Sequence, residues 1–135
     1  MLTQTELVLP EAANHYGTLF APTGLALLGK MAFLVATRFT RQTYVMASAT
    51  NIEFLKPAPI GSLLQFTARV TRVGRCSLTA NVVATFDVAP GQKADEVLRG
   101  DFELVAVDAH GKPCAIVANA EAAPTSPPSS IPSKS

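Results

Sequence analysis

One long apolar segment limits what this chain can fold into. Residues 23–39, TGLALLGKMAFLVATRF, are apolar on almost every side of a helix and carry only two charged side chains. A membrane span needs about 20 apolar residues with few charges. We therefore interpret the segment as a buried helix that starts at Pro22 or Thr23 and ends near Phe39. A helix that is apolar all round must be covered on all sides.

After the helix the apolar residues recur every second position, which is typical of strands. Strands are predicted over 5–9, 43–57, 62–88 (two strands with a bend at Gly74) and 97–108. One short strand, one helix and four further strands predict an α+β fold in which a curved antiparallel sheet wraps the helix. A second subunit would cover what the sheet leaves open.

The length of 135 residues predicts a single domain. From residue 120 the sequence reads AEAAPTSPPSSIPSKS, in which Pro, Ser and Ala dominate and no periodic apolar face remains. We therefore predict a folded domain over 1–119 and a disordered Pro/Ser-rich tail over 120–135.

Charge and composition exclude several classes of function. A net charge of +1, from 11 basic and 10 acidic side chains, argues against a nucleic-acid binder that relies on bulk electrostatics. The His and Cys residues, at positions 15, 76, 110 and 114, do not have the spacing of a metal site. Only four residues, Met1 to Gln4, precede the first predicted strand, so we expect no secretory signal, two free thiols and a cytoplasmic protein.

Three motifs in order carry a resemblance to a known family. They are NHYGTLF (14–20), IEFLKPAPIGS (52–62) and ARVTRVGRCSL (68–78). Together they resemble the Asn-x-x-Gly-x-x-Phe-Gly-Gly, Val-Asp-Phe-x-x-Pro-x-x-x-Gly-Asp and Val-x-x-x-Gly-Arg-Thr-Ser motifs of the hotdog-fold acyl-CoA thioesterases, in the acyl-CoA hydrolase branch. The resemblance covers residues 8–108.

The resemblance implies a hotdog fold, with one long central helix wrapped by a curved five- or six-stranded antiparallel sheet. It implies hydrolysis of acyl-CoA to free acid and CoA, with no cofactor beyond the coenzyme A of the substrate. It also implies a homodimer or a higher homo-oligomer, a tetramer or hexamer, with active sites at the subunit interface. In the family an Asn from the loop before the helix and an Asp within the helix, from different subunits, flank the thioester.

An alignment without gaps shows two departures from the family pattern. The family Asp falls on Gly29, and the Gly-Gly at the helix start falls on Ala21 and Pro22. Gly29 has no side chain that can act as base or nucleophile, and Pro22 has no N–H to donate to a carbonyl oxygen. Asn14 stays in place.

Each candidate catalytic residue has a second interpretation. Asn14 can orient the thioester or a water, or it can cap the backbone of its own loop. Glu53 is the nearest substitute carboxylate, or else an exposed or paired charge. His15 can act as a base, or it is a solvated loop residue.

The resemblance also implies residues that bind the substrate. They are Gly17, Ala21, Pro22, Thr23, Gly74, Arg75 and Ser77. Arg69, Arg72 and Lys56, like Arg75, can meet the phosphates of CoA, or they form the charged face of a sheet.

Three functions stay open. The first is a hydrolase with a rearranged site, in which Asn14 works with a water held by Thr23, Glu53 or His15. The second is a catalytically impaired relative that binds acyl-CoA without turnover. The third is a subunit that completes the active site of a paralogue with the Asp. A dehydratase on the same fold is disfavoured because no His and carboxylate motif is present.

Overall fold

A computed structural model describes residues 1–117. The elements in chain order are β1 (Leu2–Leu7), a 3-10 turn (Pro10–Ala12), α1 (Ala21–Thr40), β2 (Thr43–Phe54), β3 (Leu63–Val73), β4 (Ser77–Phe86) and β5 (Glu96–Val107). The five strands form one antiparallel sheet in the order β1-β3-β4-β5-β2. The predicted α+β arrangement is confirmed, with five strands. The predicted tail over 120–135 lies outside the described residues.

Several element boundaries differ from the prediction. The first strand is Leu2–Leu7 rather than 5–9, because Leu2 to Leu7 pair in register with β3 and Pro10 then starts a 3-10 turn. The helix begins at Ala21, and its N-cap is Phe20 without a side-chain cap hydrogen bond, so Thr23 is not the cap. The second strand ends at Phe54 instead of 57, where the N–H groups of Leu55 and Lys56 both turn to the carbonyl of Val97.

The core lies between one side of α1 and the inner face of the sheet. The buried helix residues recur every three or four positions: Gly24, Leu28, Met31, Ala32, Val35, Ala36, Phe39 and Thr40. They meet buried residues at alternate positions of β3, β4 and β5, such as Phe66, Val82 and Phe102. Alternation places one face of each strand against the helix and the other towards solvent.

The sheet does not cover the helix all round. Leu25 and Phe33 of α1 are exposed, and so are Met46 and Phe54 of the edge strand β2. The sequence predicted a helix covered on every side, and a single copy of residues 1–117 leaves this side open. In the described part of the chain no helix is long and apolar enough to cross a membrane.

Candidate active site

Asn14 folds the loop that leads into α1. Its side-chain Oδ1 accepts hydrogen bonds from the N–H of Tyr16 at 2.9 Å, the N–H of Thr18 at 3.1 Å and the hydroxyl of Thr18 at 3.2 Å. Gly17, at φ 78°, makes the tight turn between them. Capping of its own loop, the second interpretation of Asn14, is therefore what this side chain does in the structure.

The same contacts leave the other half of the amide group free for a ligand. Three donors hold the Oδ1 atom of Asn14, so they fix which way the amide points. Its NH2 group donates to no residue among 1–117. Both roles considered for Asn14 are compatible, because the oxygen shapes the loop and the nitrogen remains available as a donor.

This loop is attached to the rest of the fold by its backbone. The N–H of Leu19 donates to the carbonyl of Ala58 at 2.8 Å, and the N–H of Ile60 donates to the carbonyl of Gly17 at 2.9 Å. The N–H of Phe20 donates to Ala12 at 2.9 Å. These bonds hold Asn14 and its loop beside the N-terminus of α1.

The N-terminus of α1 still offers two backbone donors. The first helical bond runs from the N–H of Gly24 to the carbonyl of Phe20 at 3.0 Å. Pro22 has no N–H, but those of Ala21 and Thr23 are not hydrogen-bonded within residues 1–117. Free N–H groups and the positive end of the helix dipole favour a developing negative charge on oxygen. This helix end therefore has two backbone donors, from Ala21 and Thr23, and Pro22 supplies none.

A cavity of about 230 Å³ lies beside this helix end. Its wall is mostly apolar and includes Thr18, Ala21, Phe54 and Leu98. Lys56, also in the wall, pairs with Asp95 at 2.8 Å, and this ammonium group holds the pKa of the Asp95 carboxyl below its usual value. Lys56 therefore has an anionic partner already and is not reserved for a phosphate.

Gly29 has a single neighbour, the end of a flexible side chain. An ideal Cβ on Gly29 would lie 3.3 Å from Met46 Cε, the far end of a flexible side chain. On Gly24, one and a half turns earlier, a Cβ would lie 3.0 Å from Leu98 Cδ1 and 3.3 Å from Leu19 Cδ2. Close packing explains Gly24 but not Gly29.

Glu53 lies on the outer face of the sheet, away from α1. It pairs across β2 and β5 with Arg99, at 2.6 Å, and Arg99 also contacts Glu96 at 2.9 Å. The Glu53 carboxylate raises the pKa of Arg99 above its usual value. Arg99 alternates with Leu98 and Gly100, which are both buried, so the ion pair faces solvent. The structure supports the interpretation of Glu53 as a paired surface charge.

The β3–β4 turn lies at the other end of the sheet from the N-terminus of α1. The N–H of Gly74 donates to the carbonyl of Ser77 at 2.7 Å, and Ser77 pairs with Val105 of β5. Leu98, beside the helix N-terminus, lies near the opposite end of β5. One copy of the chain therefore keeps Gly74, Arg75 and Ser77 apart from Asn14.

The remaining candidates for phosphate binding and for the base lie on the surface. Arg72 donates to the Ser77 hydroxyl at 3.1 Å and pairs with Glu103 at 3.4 Å. Arg69 donates to the sulfur of Met1. His15 is exposed, with its ring centroid 4.1 Å from that of Tyr16. No group of three or more His, Cys, Asp or Glu residues within 1–117 is placed to hold a metal ion.

Proteins from two bacteria have sequences similar to this chain. An uncharacterised acyl-CoA thioester hydrolase of Zymomonas mobilis is 29% identical over 82% of this chain and 74% of its own length. Protein VdlD of Helicobacter pylori is 30% identical over 83% of this chain, which spans only 64% of VdlD.

A solved structure shares the fold. The acyl-CoA hydrolase of Staphylococcus aureus, in complex with butyryl coenzyme A, coenzyme A and coenzyme A disulfide, is 29% identical with a TM-score of 0.81. The match covers 87% of this chain and 71% of that one. The predicted hotdog fold is therefore confirmed.

Variants of the same hydrolase point to a residue that the motifs missed. They replace an asparagine, an aspartate or a threonine with alanine. The asparagine and the aspartate are separated by as many residues as Asn14 and Gly29 are here, and the aspartate and the threonine by as many as Gly29 and Met46. The motifs quoted from the sequence carry no signal at position 46, so only the spacing of these variants singles out Met46.

The family model of the thioesterase superfamily matches residues 16–85, which is more than half of the chain. This range runs from the loop shaped by Asn14 through α1 to the end of β4. Sequence, fold and the arrangement around α1 agree, and the chain belongs to the thioesterase superfamily.

Proposed function

We propose that this chain binds acyl-CoA thioesters at a site shared between copies of itself, and that it hydrolyses them far more slowly than a relative with an aspartate at position 29. The observation that carries the proposal is the amide of Asn14, whose oxygen is held by its loop and whose NH2 group is left as a donor. No cofactor is needed beyond the coenzyme A of the ligand.

The donors at one end of α1 support binding of a thioester carbonyl. The NH2 group of Asn14 and the N–H groups of Ala21 and Thr23 all belong to the loop and first turn of the helix. Hydrogen-bond donors at a helix N-terminus suit a polarised carbonyl oxygen. The neighbouring cavity, with its mostly apolar wall, suits an acyl chain or the pantetheine arm.

The missing carboxylate argues against efficient turnover. Hydrolysis needs a group that takes a proton from water or attacks the thioester directly, which is worth about 10²–10⁴-fold in rate for a general base. Gly29 cannot supply it, and Glu53 is held by Arg99 on the far face of the sheet. The counterpart of the Staphylococcus aureus threonine is Met46, whose thioether has no proton to donate.

A second copy of the chain would cover exposed apolar residues and would complete the binding site. Leu25, Gly29 and Phe33 recur every four residues, so they lie on one stripe of α1 beside Met46 of β2. We propose that a homodimer or larger homo-oligomer covers this stripe. Because one copy separates Asn14 from the β3–β4 turn, we propose that Gly74, Arg75 and Ser77 contact the nucleotide of a ligand whose thioester lies in another copy.

Binding is tested with coenzyme A and a non-hydrolysable butyryl-CoA thioether, by isothermal titration calorimetry. Asn14→Asp retains an oxygen that accepts the three loop bonds but removes the NH2 donor, so we expect intact folding and at least roughly tenfold weaker binding of the thioether. Asn14→Ala is expected to lose thermal stability as well. Glu53→Gln is the control and should bind like the wild type.

The proposal is wrong if the wild-type protein binds neither ligand, or if Asn14→Asp binds as tightly as wild type. Release of free thiol from butyryl-CoA, measured on the same samples, tests the proposal that this chain hydrolyses the thioester slowly. A wild-type rate close to that of an aspartate-containing relative would show that another group replaces the lost carboxylate.

The presence of Asn14 in a chain that has no aspartate at position 29 favours a second function, which is completion of the active site of a related subunit. If the asparagine and the aspartate of one site come from different subunits, Asn14 of this chain can complete a site whose aspartate belongs to a related subunit. Mixing this protein with a relative inactivated by Asn→Ala should then restore thiol release, while the Asn14→Asp variant of this chain should not. A mixture as inactive as its components would exclude this function.

A further inference from the structure

The position that lost its side chain has one neighbour, and that neighbour is Met46. Apart from its chain neighbours and its own helix backbone, nothing other than Met46 Cε lies within 4 Å of a Cβ on Gly29. A side chain that continues beyond Cβ would therefore be directed at the thioether of Met46.

Met46 lies at the edge of the sheet and is partly exposed. It belongs to the edge strand β2, pairs with the buried Leu104 and is followed by a register shift before Ser48. The pairing with Leu104 places it on the α1 side of the sheet, yet 44% of its surface is exposed. Its side chain spans from β2 towards α1 and fills the space above Gly29.

We propose that Gly29 and Met46 work as a pair that decides whether the site retains or hydrolyses a thioester. Met46 takes the space that a catalytic side chain at position 29 would need, and it offers the acyl group an apolar surface. This inference rests on the proposed function. It makes Met46 a residue that determines specificity, and it implies that restoring a carboxylate at position 29 alone will not restore hydrolysis.

The chemistry of the two side chains supports the pairing. A carboxylate placed against a thioether loses water and gains no hydrogen bond, which disfavours the ionised form that a base needs. A threonine at position 46 removes the Sδ and Cε atoms and supplies a hydroxyl that donates to the carboxylate. Each single change is therefore expected to do little, and the two together should act cooperatively.

The restored reaction is an ordinary thioester hydrolysis. The carboxylate introduced by Gly29→Asp accepts a proton from a water whose oxygen bonds to the thioester carbon. The C–S bond then breaks, the acyl group leaves as the free acid, and the CoA sulfur takes a proton to leave as the thiol. The donors at Asn14 and the helix N-terminus stabilise the negative oxygen that forms in between.

The test compares wild type, Gly29→Asp, Met46→Thr and the double variant, purified as full chains. Thiol release from butyryl-CoA and binding of coenzyme A and the butyryl-CoA thioether are measured on each, with thermal unfolding to verify folding. We expect the double variant to hydrolyse roughly 10²-fold faster than either single variant. Met46→Thr should weaken binding of the thioether more than binding of coenzyme A, because the lost contact is with the acyl group.

Two results would overturn the pairing. One is a Gly29→Asp variant as active as the double variant; the other is a folded double variant that binds the thioether yet releases no more thiol than wild type. If none of the four proteins binds either ligand, the proposed function itself fails, so the two failures are distinguishable.

Discussion

At the scale of single residues, the surroundings of two glycines in one helix differ. A mid-helix glycine costs about 1 kcal/mol relative to alanine, so each needs a reason to be there. Gly24 is buried, and Leu98 and Leu19 approach so closely that a Cβ would collide with them. Gly29 meets only the end of Met46, so the fold does not require it. Packing therefore explains Gly24 and gives no reason for Gly29, which is consistent with the proposed function.

The two glycines give opposite results when changed to alanine. Gly29→Ala should raise the free energy of unfolding by up to about 1 kcal/mol, because a single Cβ needs the end of Met46 to shift by only a few tenths of an ångström and the helix gains propensity. Gly24→Ala should lower it by about 1–3 kcal/mol, because Leu98 and Leu19 cannot both yield. Urea unfolding of both variants at one protein concentration measures the difference. Equal destabilisation by the two changes would mean that Gly29 is also a packing glycine.

At the scale of elements, the junction between α1 and β2 is fixed by one buried hydrogen bond. The helix ends at Thr40, and its C-cap is Arg41, whose left-handed backbone has a φ of 61° and whose N–H donates to the carbonyl of Thr37 at 2.7 Å. Thr40 and Tyr44, on either side of the turn, share a hydrogen bond of 2.6 Å between their hydroxyls. Tyr44 lies two residues before Met46 in β2, so this bond ties the start of the strand to the end of the helix.

This junction predicts a loss of stability in alkali. Burial raises the pKa of Tyr44, and the hydrogen bond to Thr40 offsets only part of that effect. A raised pKa in the folded state stabilises the fold below the unfolded tyrosine pKa of about 10, and that stabilisation is lost as pH rises through the folded value. Unfolding of wild type and Tyr44→Phe between about pH 9 and pH 12 should show a steeper fall for wild type. Parallel curves would contradict a buried, neutral Tyr44.

At the scale of the whole molecule, one side of α1 and the neighbouring strand β2 expose large apolar residues. The open side carries the stripe of Leu25, Gly29 and Phe33 together with Met46 and Phe54, and four of these five are large apolar residues that stay exposed. Exposed apolar residues grouped on one helix and its neighbouring edge strand are typical of an interaction site. The proposed site and the proposed subunit interface therefore occupy the same side of the molecule.

A charge placed on this side should separate the subunits. Phe33→Glu is expected to shift the protein to monomer, because an interface cannot bury an unpaired carboxylate without a large cost. Val88→Glu is the control, since Val88 is also an exposed apolar residue but follows β4 in the loop before β5. Sedimentation velocity at several protein concentrations gives the oligomeric state. An unchanged mass for Phe33→Glu, or an equal change in mass for both variants, would show that the subunit interface does not lie on this side of the molecule.

Much of the fold could be predicted from the sequence because its signals are local. The apolar run over 23–39 and the strict alternation in Leu64, Phe66, Ala68 and Val70 identify the helix and the strands without any tertiary information. Boundaries were less accurate, since β1 and the end of β2 are determined by pairing partners, which only the folded sheet supplies.

The sequence alone predicted, through the resemblance, that position 29 lacks the family carboxylate and that Asn14 occupies the position of the family asparagine, because both expectations follow from residue identity and spacing. Only the tertiary structure decided what those residues touch. It held the Asn14 oxygen in its own loop, paired Glu53 with Arg99 on the far face, and set Met46 above Gly29. These contacts join residues far apart in the chain, and their partners depend on strand register and helix placement, which no local pattern specifies.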